Sequence, residues 1–442
     1  MFHFEYGRKQ GARLTIPLQE RFLPIVMGFV EQSAMVMGLA RAGALKLTLS
    51  SEELFLHLCH VISSGNETAE IDIRPHHCAV RVDFSFPFTP FSMSAFNMTA
   101  GFQPDDPENT EDMRLFLASR SVDRLTILQQ DRLLRLSLFK EKSYPAPLPQ
   151  ARPLPTSETG FILEDPDTEE ITFCCARIIH DFPTELLPRF IRYPGMLVDM
   201  EKENGCTAQI AKSPSGKILG GIFWHTLSEK TIQAFGPYVL ASQNAGNIAD
   251  ALIEECIRRS SRTTAAAVIC HPPVLLDISR HFEKLGAIPR VSPSGERFHQ
   301  PVWFRLMHED TGSVSWTTKD LAEFLHSFYA VHVLPREIRL ISDTHPEDAP
   351  GSVISADIDR IHSQVTLEWI WPGSDIASNL SRHIHLFESE GFRSILFLVD
   401  LGVSWKTGII PDLIACGFSP RLVLPNAGEG DLAIFDREQE VL

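Results

Sequence analysis

The sequence predicts a multidomain protein of mixed α+β and α/β class. It would have an N-terminal α/β sandwich followed by two units, each a mixed sheet flanked by helices. Three observations carry this. The length of 442 residues, 44% of them hydrophobic, is enough for several separate cores. Strand-like and helix-like periodicities alternate along the chain. The C-terminal half also repeats itself: Gly216 to Pro237 returns as Gly351 to Pro372 at a constant offset of 135.

In the N-terminal part, Leu14 to Pro17 reads as a short strand and Glu20 to Leu39 as an amphipathic helix rich in Met, Val and Leu. A second helix is predicted from about Ser50, with Ser50-Ser51-Glu52-Glu53 as cap and acidic first turn. Glu70 to Ile73 and Cys78 to Phe84 alternate like paired strands, and a turn-rich stretch runs from Pro87 to Asn109. Asp112 to Val122 is a further helix, and Leu125 to Gln129 with Leu133 to Lys140 form a hairpin. Five prolines between Ser143 and Pro155, then an acidic run from Glu158 to Glu170, mark a solvated linker. These readings divide the chain into 1–145, a linker 146–169, a first unit 170–312 and a second unit 313–442.

The first unit contains the stretch Phe235 to Ser260. A strand ends there, a polar turn Ala241 to Asn247 follows, and Ala249, Leu252, Ile253, Cys256 and Ile257 continue at helical spacing. A helix start presents unpaired backbone N–H groups and partial positive charge, and small residues let that backbone approach a phosphate. An ordinary strand-to-helix turn explains the same residues. In the second unit the offset changes after Pro372. Ala267 to Cys270 pairs with Phe397 to Asp400 at 130, and Leu285 to Arg290 with Cys416 to Arg421 at 131. The missing residues fall on the turn, leaving Gly373-Ser374-Asp375-Ile376, with an acid where an anion would sit.

Lys217 to Trp224, Thr231 to Phe235, the turn and helix, Ala265 to Cys270 and His281 to Ala287 together resemble the GNAT acetyltransferase family. The resemblance implies acetyl-CoA as cofactor, its pyrophosphate held by a Gln-x-x-Gly-type loop at the end of a splayed strand. Gln243-x-x-Gly246 matches the first half of that loop, while the third small position falls on Ile248 or Ala249. The implied cofactor-binding residues are Val239, Leu240, Gln243, Asn244, Ala245, Gly246, Asn247, Ile248 and Ala249. Acetyl transfer needs a base for the amine, polarisation of the thioester carbonyl and an acid for the thiolate. Tyr238, directly before the loop, is the candidate catalytic residue, and packing explains it equally well. His225 and His271 fit core or rim histidines, and Glu229 fits a hairpin turn.

Residues 1–145 are similar to GHKL ATPases, in particular the small anti-sigma-factor kinases. Leu115-Phe116-Leu117-Ala118-Ser119-Arg120-Ser121-Val122-Asp123 carries the likeness. The resemblance implies a vestigial nucleotide site at Glu53, His57 and Asp83. His57 replaces the Mg²⁺-binding Asn, Asp83 to Pro87 replaces a glycine-rich lid entry, and Asp112-Met113-Arg114 replaces a Gly-x-Gly. Glycines open such loops to phosphate, whereas Pro87 removes an N–H and Asp112 repels a triphosphate, so ATP is not the expected ligand.

The net charge of −16 excludes a nucleic-acid surface. No apolar run reaches the roughly 18 residues of a membrane span, and the N-terminus lacks the marks of a signal peptide, so a cytoplasmic protein is expected. Eight cysteines and seventeen histidines, including His76-His77 and His383-x-His385, show no metal-ligand constellation. The resulting expectation is an acetyl-CoA-dependent N-acetyltransferase acting on a small-molecule or protein amine. Its N-terminal module would bind a regulatory partner, and the helix Glu20 to Leu39 is a candidate homodimer face. The alternative is a non-catalytic regulatory protein of anti-sigma-factor type.

Overall fold

The computed structural model describes residues 11–62, 67–87, 93–99, 116, 118–130, 132–146, 160–273, 276–292, 296–341 and 351–437. The first strands form a five-stranded antiparallel sheet in the order β1-β2-β3-β5-β4. They are β1 (Ala12–Pro17), β2 (Thr68–His76), β3 (Ala79–Pro87), β4 (Arg124–Gln130) and β5 (Leu133–Glu141). Helices α1 (Leu23–Val36) and α2 (Arg41–Val61) cover one face of it. Val80, Val82, Phe84 and Phe86 alternate inward toward Leu47, Leu54, Phe55 and Leu58, the period-two pattern of a half-buried sheet.

The start of α2 corrects the sequence reading. The helix begins at Arg41, nine residues before Ser50, because Ala44 and Leu47 already belong to its buried stripe. Ser50 and Ser51 lie mid-helix and donate back to the carbonyls of Lys46 and Leu47, at 3.1 and 2.9 Å. The Ser50 hydroxyl also reaches the carbonyl of Ala118 at 2.8 Å. Of the helix expected over Asp112 to Val122, residue 116 and residues 118–121 are helical. Asp112-Met113-Arg114, most of the Pro87 to Asn109 stretch and linker residues 147–159 lie outside the described residues.

The central sheet has seven strands in the order β11-β12-β10-β9-β8-β7-β6. It is built from β6 (Ile162–Glu164), β7 (Thr207–Lys212), β8 (Ile218–Thr226), β9 (Thr231–Val239), β10 (Ala267–His271), β11 (Glu283–Val291) and β12 (Arg297–Leu306). Only the β9/β10 pair is parallel among these strands. Helices α3 (Thr168–Asp181), α4 (Arg189–Arg192) and α5 (Pro194–Lys202) cover one face, and α6 (Ala245–Ser260) covers the other. Coverage on both faces explains why β8 and β10 read as continuous apolar runs. Ordered structure extends into the stretch read as linker: β6 pairs with β7, and Asp167 with Glu170 forms a capping box for α3. The acidic run is therefore partly a helix start, where carboxylates offset the helix dipole.

The C-terminal sheet runs β15-β16-β17-β19-β18. Its strands are β15 (Val353–Asp359), β16 (Gln364–Trp371), β17 (Ser394–Asp400), β18 (Phe418–Leu424) and β19 (Leu432–Arg437). Helix α8 (Ile376–Ser389) connects the parallel pair β16/β17, and α9 (Ile410–Ala415) precedes β18. This order and these directions reproduce β8-β9-β10-β12-β11 of the central sheet, strand for strand. In place of partners for the β15 edge, β13 (Ser313–Thr317) and β14 (Arg336–Leu340) form a separate parallel pair linked by α7 (Lys319–Val331). One apolar cluster joins Ile269, Ile288, Val302 and Phe304 of the central sheet to Leu367, Trp369 and Phe397 of the C-terminal sheet. Among the described residues no helix is long and apolar enough to cross a membrane.

Candidate active site

The β9/β10 register runs from Thr231↔Ala267 to Phe235↔His271, after which β9 leaves β10 and continues to Val239 paired with β8. A bulge opposite Gly221 and Phe223 bends β9 here. Gly236 has φ of 104°, and a Cβ on it would stand 3.0 Å from the Tyr238 nitrogen, so only glycine suits the bend. The strands part at the C-terminal end of a parallel pair, where open α/β sheets place ligands.

The loop past Val239 leads into α6. Leu240, Ile248 and Ala249 are buried beneath it, while Gln243, Asn244, Gly246 and Asn247 face solvent. Asn244 adopts the left-handed conformation at the helix start, with φ of 56°, and makes no side-chain cap. Among the described residues a Cβ on Gly246 would meet nothing within 4 Å, so the backbone is open to a close approach there. The hollow between Gly160, Phe161, Leu219, Gln243 and Ile248 holds only about 10 Å³, room for about one water, so a longer ligand would lie across the loop. Neighbouring basic side chains are engaged. Arg258 and Arg259 bind Glu255 at 2.6 and 2.7 Å, and Arg280 and His281 both hold Asp250 at 2.9 Å. The positive field at this loop therefore comes mainly from the helix itself.

Tyr238 is fully buried, edge-on to Phe182, and its hydroxyl lies in the core under α3 with no hydrogen-bond partner among the described residues. Burial, and then the nearby thiols of Cys270 and Cys175, push the phenol pKa up. Removing that hydroxyl is expected to leave stability unchanged or raise it by about 1 kcal/mol, because an unpaired buried group is deleted. Thermal unfolding of Tyr238→Phe checks this. A loss of more than 1 kcal/mol would show an unseen partner.

His225 and His271 stand on the sheet face beneath α4. Burial lowers the His225 pKa to about 4, against the Thr226 carbonyl bond that raises it. Burial, then Arg290 and His225, lower the His271 pKa to about 3. Both rings are thus neutral at physiological pH. Gln233 Nε2 donates to His271 Nε2 at 2.9 Å, and His271 stacks on Phe235 at 5.5 Å. Glu229 is exposed in the β8–β9 turn.

In the C-terminal sheet the corresponding place is closed. Asp375, at the N-cap of α8, accepts the Ser352 N–H at 2.6 Å, and a Cβ on Gly373 would collide with the Ser352 backbone. Asn97 of the N-terminal layer fills the rest. Its Nδ2 donates to the Ser352 carbonyl at 2.6 Å, and its Oδ1 accepts from Ile354 N and Asn379 Nδ2, both at 2.9 Å. No motif marked Asn97 in the sequence.

Of the residues implied as a vestigial nucleotide site, Asp83 is buried on the sheet face away from the helices. It is held by Arg74 at 2.6 Å and Arg81 at 2.5 Å. Burial alone would raise its carboxyl pKa, but Arg81, Ser137 and Arg74 bring it below the usual range. A carboxylate so engaged has little left for an adenine amine. His57 is buried within α2, and Glu53, one turn before it, is half-buried. Among the described residues no group of three His, Cys, Asp or Glu side chains could hold a metal ion. A larger crevice of about 350 Å³ lies between the N-terminal layer and α4–α5. Its charges are mostly matched within the protein, Lys140 with Asp123, Lys142 with Asp199 and Arg189 with Glu141.

No family model matches this chain, and no curated protein does. Solved structures resemble about a third of it. An N-acetyltransferase from Staphylococcus aureus matches 34% of this chain and 100% of its own, at 14% identity and a TM-score of 0.28. A GNAT superfamily phosphinothricin acetyltransferase from Sinorhizobium meliloti, in complex with acetyl-CoA, matches 34% of this chain and 90% of its own, at 14% identity and 0.28. An N-acetyltransferase from Thermoplasma acidophilum in complex with coenzyme A matches 34% and 99%, at 10% identity and 0.25.

Proposed function

We propose that the chain is an acetyl-CoA-dependent N-acetyltransferase of GNAT type, with its cofactor site on the central sheet. The observation that carries this is the parting of β9 from β10 beyond Phe235 and His271, directly before an exposed helix-start loop with open space at Gly246. Val239 and Leu240 would flank the cofactor, and Gln243 to Ala249 would take its diphosphate on backbone N–H groups. The cofactor supplies an acetyl thioester. The chain's residues position the accepting amine, keep the neutral His225 and His271 beside it and exclude water. The C-terminal sheet is a second copy of the same unit, its own site closed by Asp375 and Asn97. The N-terminal layer is a GHKL-like module for a regulatory partner.

A second reading, a non-catalytic regulatory protein of anti-sigma-factor type, draws support from the enclosed hydroxyl of Tyr238 and the engaged carboxylate of Asp83. Acetyl-CoA separates the two readings. Ligand at a hundredfold excess over its Kd stabilises the folded state by about 2.7 kcal/mol, so the full-length chain should melt a few degrees higher with millimolar acetyl-CoA. Gly246→Asp puts a carboxylate into open space at a helix start, where it suits the helix but repels a diphosphate. The variant should fold as well as the wild type and lose the shift. Absence of any acetyl-CoA shift in the wild type would favour the regulatory reading.

A further inference from the structure

A polar cluster lies past the C-terminal end of β10, where α4, β11, β12 and the β15–β16 hairpin meet. Arg290 on β11 donates to two side-chain amide oxygens, Gln300 Oε1 at 3.2 Å and Gln364 Oε1. Neither acceptor carries charge. Arg192, on α4, is 11% exposed, and its Nε is buried without an acceptor among the described residues. Gln364 is 2% exposed; the guanidinium fixes its amide oxygen, and among the described residues its Nε2 is buried without an acceptor as well.

The charge here does not balance. Asp359, cross-strand neighbour of Gln364, is among the described residues the acid facing both arginines, and it stands 3.9 Å from Arg192. Its oxygens are already used by the His362 ring and by the backbone N–H groups of Ile361 and His362, at 3.1 and 3.3 Å. Among the described residues the other titratable groups facing the cluster are His271, neutral, His362, whose second ring nitrogen meets the Glu185 carbonyl, and, beside Arg192, Tyr193 and Arg189, the latter already paired with Glu141. Two guanidiniums and two orphaned N–H donors thus share one committed carboxylate. A buried cation without its counter-ion is costly, and orphaned buried donors add to that cost.

We propose that this cluster binds the carboxylate of a small organic acid, which is the acyl acceptor on the transferase reading given above. Flat, paired N–H donors match the two oxygens of a carboxylate. Beside them the rings of Phe190, Phe235, His225 and His271 make a wall for a short apolar body, with Phe190–Phe235 centroids 5.1 Å apart and His225–Phe235 5.6 Å. The cluster's positive charge disfavours polycationic amines, so an amino acid or other amine-bearing carboxylate is the substrate class selected.

Isobutyrate and its neutral isostere isobutyramide, at matched ionic strength, test this on the full-length protein, with inorganic phosphate as a third arm. Isobutyrate at 20 mM is expected to raise the melting temperature by about 3 °C, with isobutyramide and phosphate raising it by under 1 °C. Arg290→Gln is expected to remove the shift. Gln364→Glu, which supplies the missing charge from within and keeps the side-chain size, should melt higher than wild type and no longer respond to isobutyrate. Equal shifts with the amide, a larger shift with phosphate, or no shift with isobutyrate would overturn the proposal. An acetyl-CoA shift without an isobutyrate shift overturns this site and leaves the transferase reading standing. An isobutyrate shift without an acetyl-CoA shift supports the carboxylate site and removes its assignment as an acceptor pocket.

Discussion

Arg336→Met is expected to lower the unfolding free energy by about 3–5 kcal/mol, the cost of breaking a buried ion pair from one side. Arg336 opens β14 with a side chain that is 0% exposed. Its guanidinium forks onto Asp431, Nε to Oδ2 at 2.8 Å and Nη2 to Oδ1 at 3.2 Å, while Nη1 takes Asp310 at 2.7 Å. Asp431 also accepts the Asn426 N–H at 2.8 Å, so the network joins the β12–β13 connection, β14 and the turn into β19. Methionine fills the volume of the arginine stem but leaves two carboxylates enclosed without a cation. Arg336→Lys keeps the charge and loses the fork, and it should fall between the two. Urea unfolding monitored by tryptophan fluorescence measures the difference, and a loss below 1 kcal/mol for the methionine variant would mean that water replaces the guanidinium.

Legibility from sequence followed locality. The pairing of β2 with β3 and the β4–β5 hairpin were visible because alternating side chains face a core on one side only. The constant offset between Gly216–Pro237 and Gly351–Pro372 falls on strands that hold like places in the C-terminal sheet and in five strands of the central one, since strands that keep their spacing keep their neighbours. The start of α2 was hidden because Ala40, its N-cap, offers no capping side chain, whereas Ser50 and Ser51 mimic a cap from inside the helix. The capping box at Asp167 and Glu170 was obscured for the opposite reason, being acidic residues in an acidic run.

The candidate site was legible in its loop and illegible in its surroundings. Gln243 to Asn247 announced itself by composition, and it does stand at the start of a 16-residue helix. Tyr238 is adjacent in sequence, yet the bulge in β9 aims it into the core under α3, and no local pattern encodes that turn of the strand. The Arg290–Gln364 contact spans 74 positions and the Asn97–Ser352 contact 255, so neither spacing nor periodicity could bring those residues together.

Asn97→Asp is expected to cost about 3–4 kcal/mol, although it changes no heavy-atom count. Asn97 is 1% exposed and uses its amide fully: Nδ2 donates to the carbonyls of Ser352 and Ser94, at 2.6 and 2.9 Å, while Oδ1 accepts from Ile354 and Asn379. It thereby stands in for a neighbouring strand along the β15 edge, taking up both a donor and an acceptor that would otherwise be left bare. Aspartate keeps the two accepted bonds but turns the donor into an oxygen facing two carbonyls. The carboxyl must then stay ionised among like dipoles or take up a proton to restore one bond. Relief by protonation gives the sign: the variant's deficit should shrink as pH falls from 7 toward 5, whereas Asn97→Ala, at about 3 kcal/mol, should show no such trend. Hydrogen exchange at Ile354 locates the effect, because its amide loses protection only if the N-terminal layer lifts from β15. Equal stability of Asn97→Asp and wild type at pH 7 would show that the layer is held elsewhere, through Val353, Ile370 and Trp371 in its apolar core.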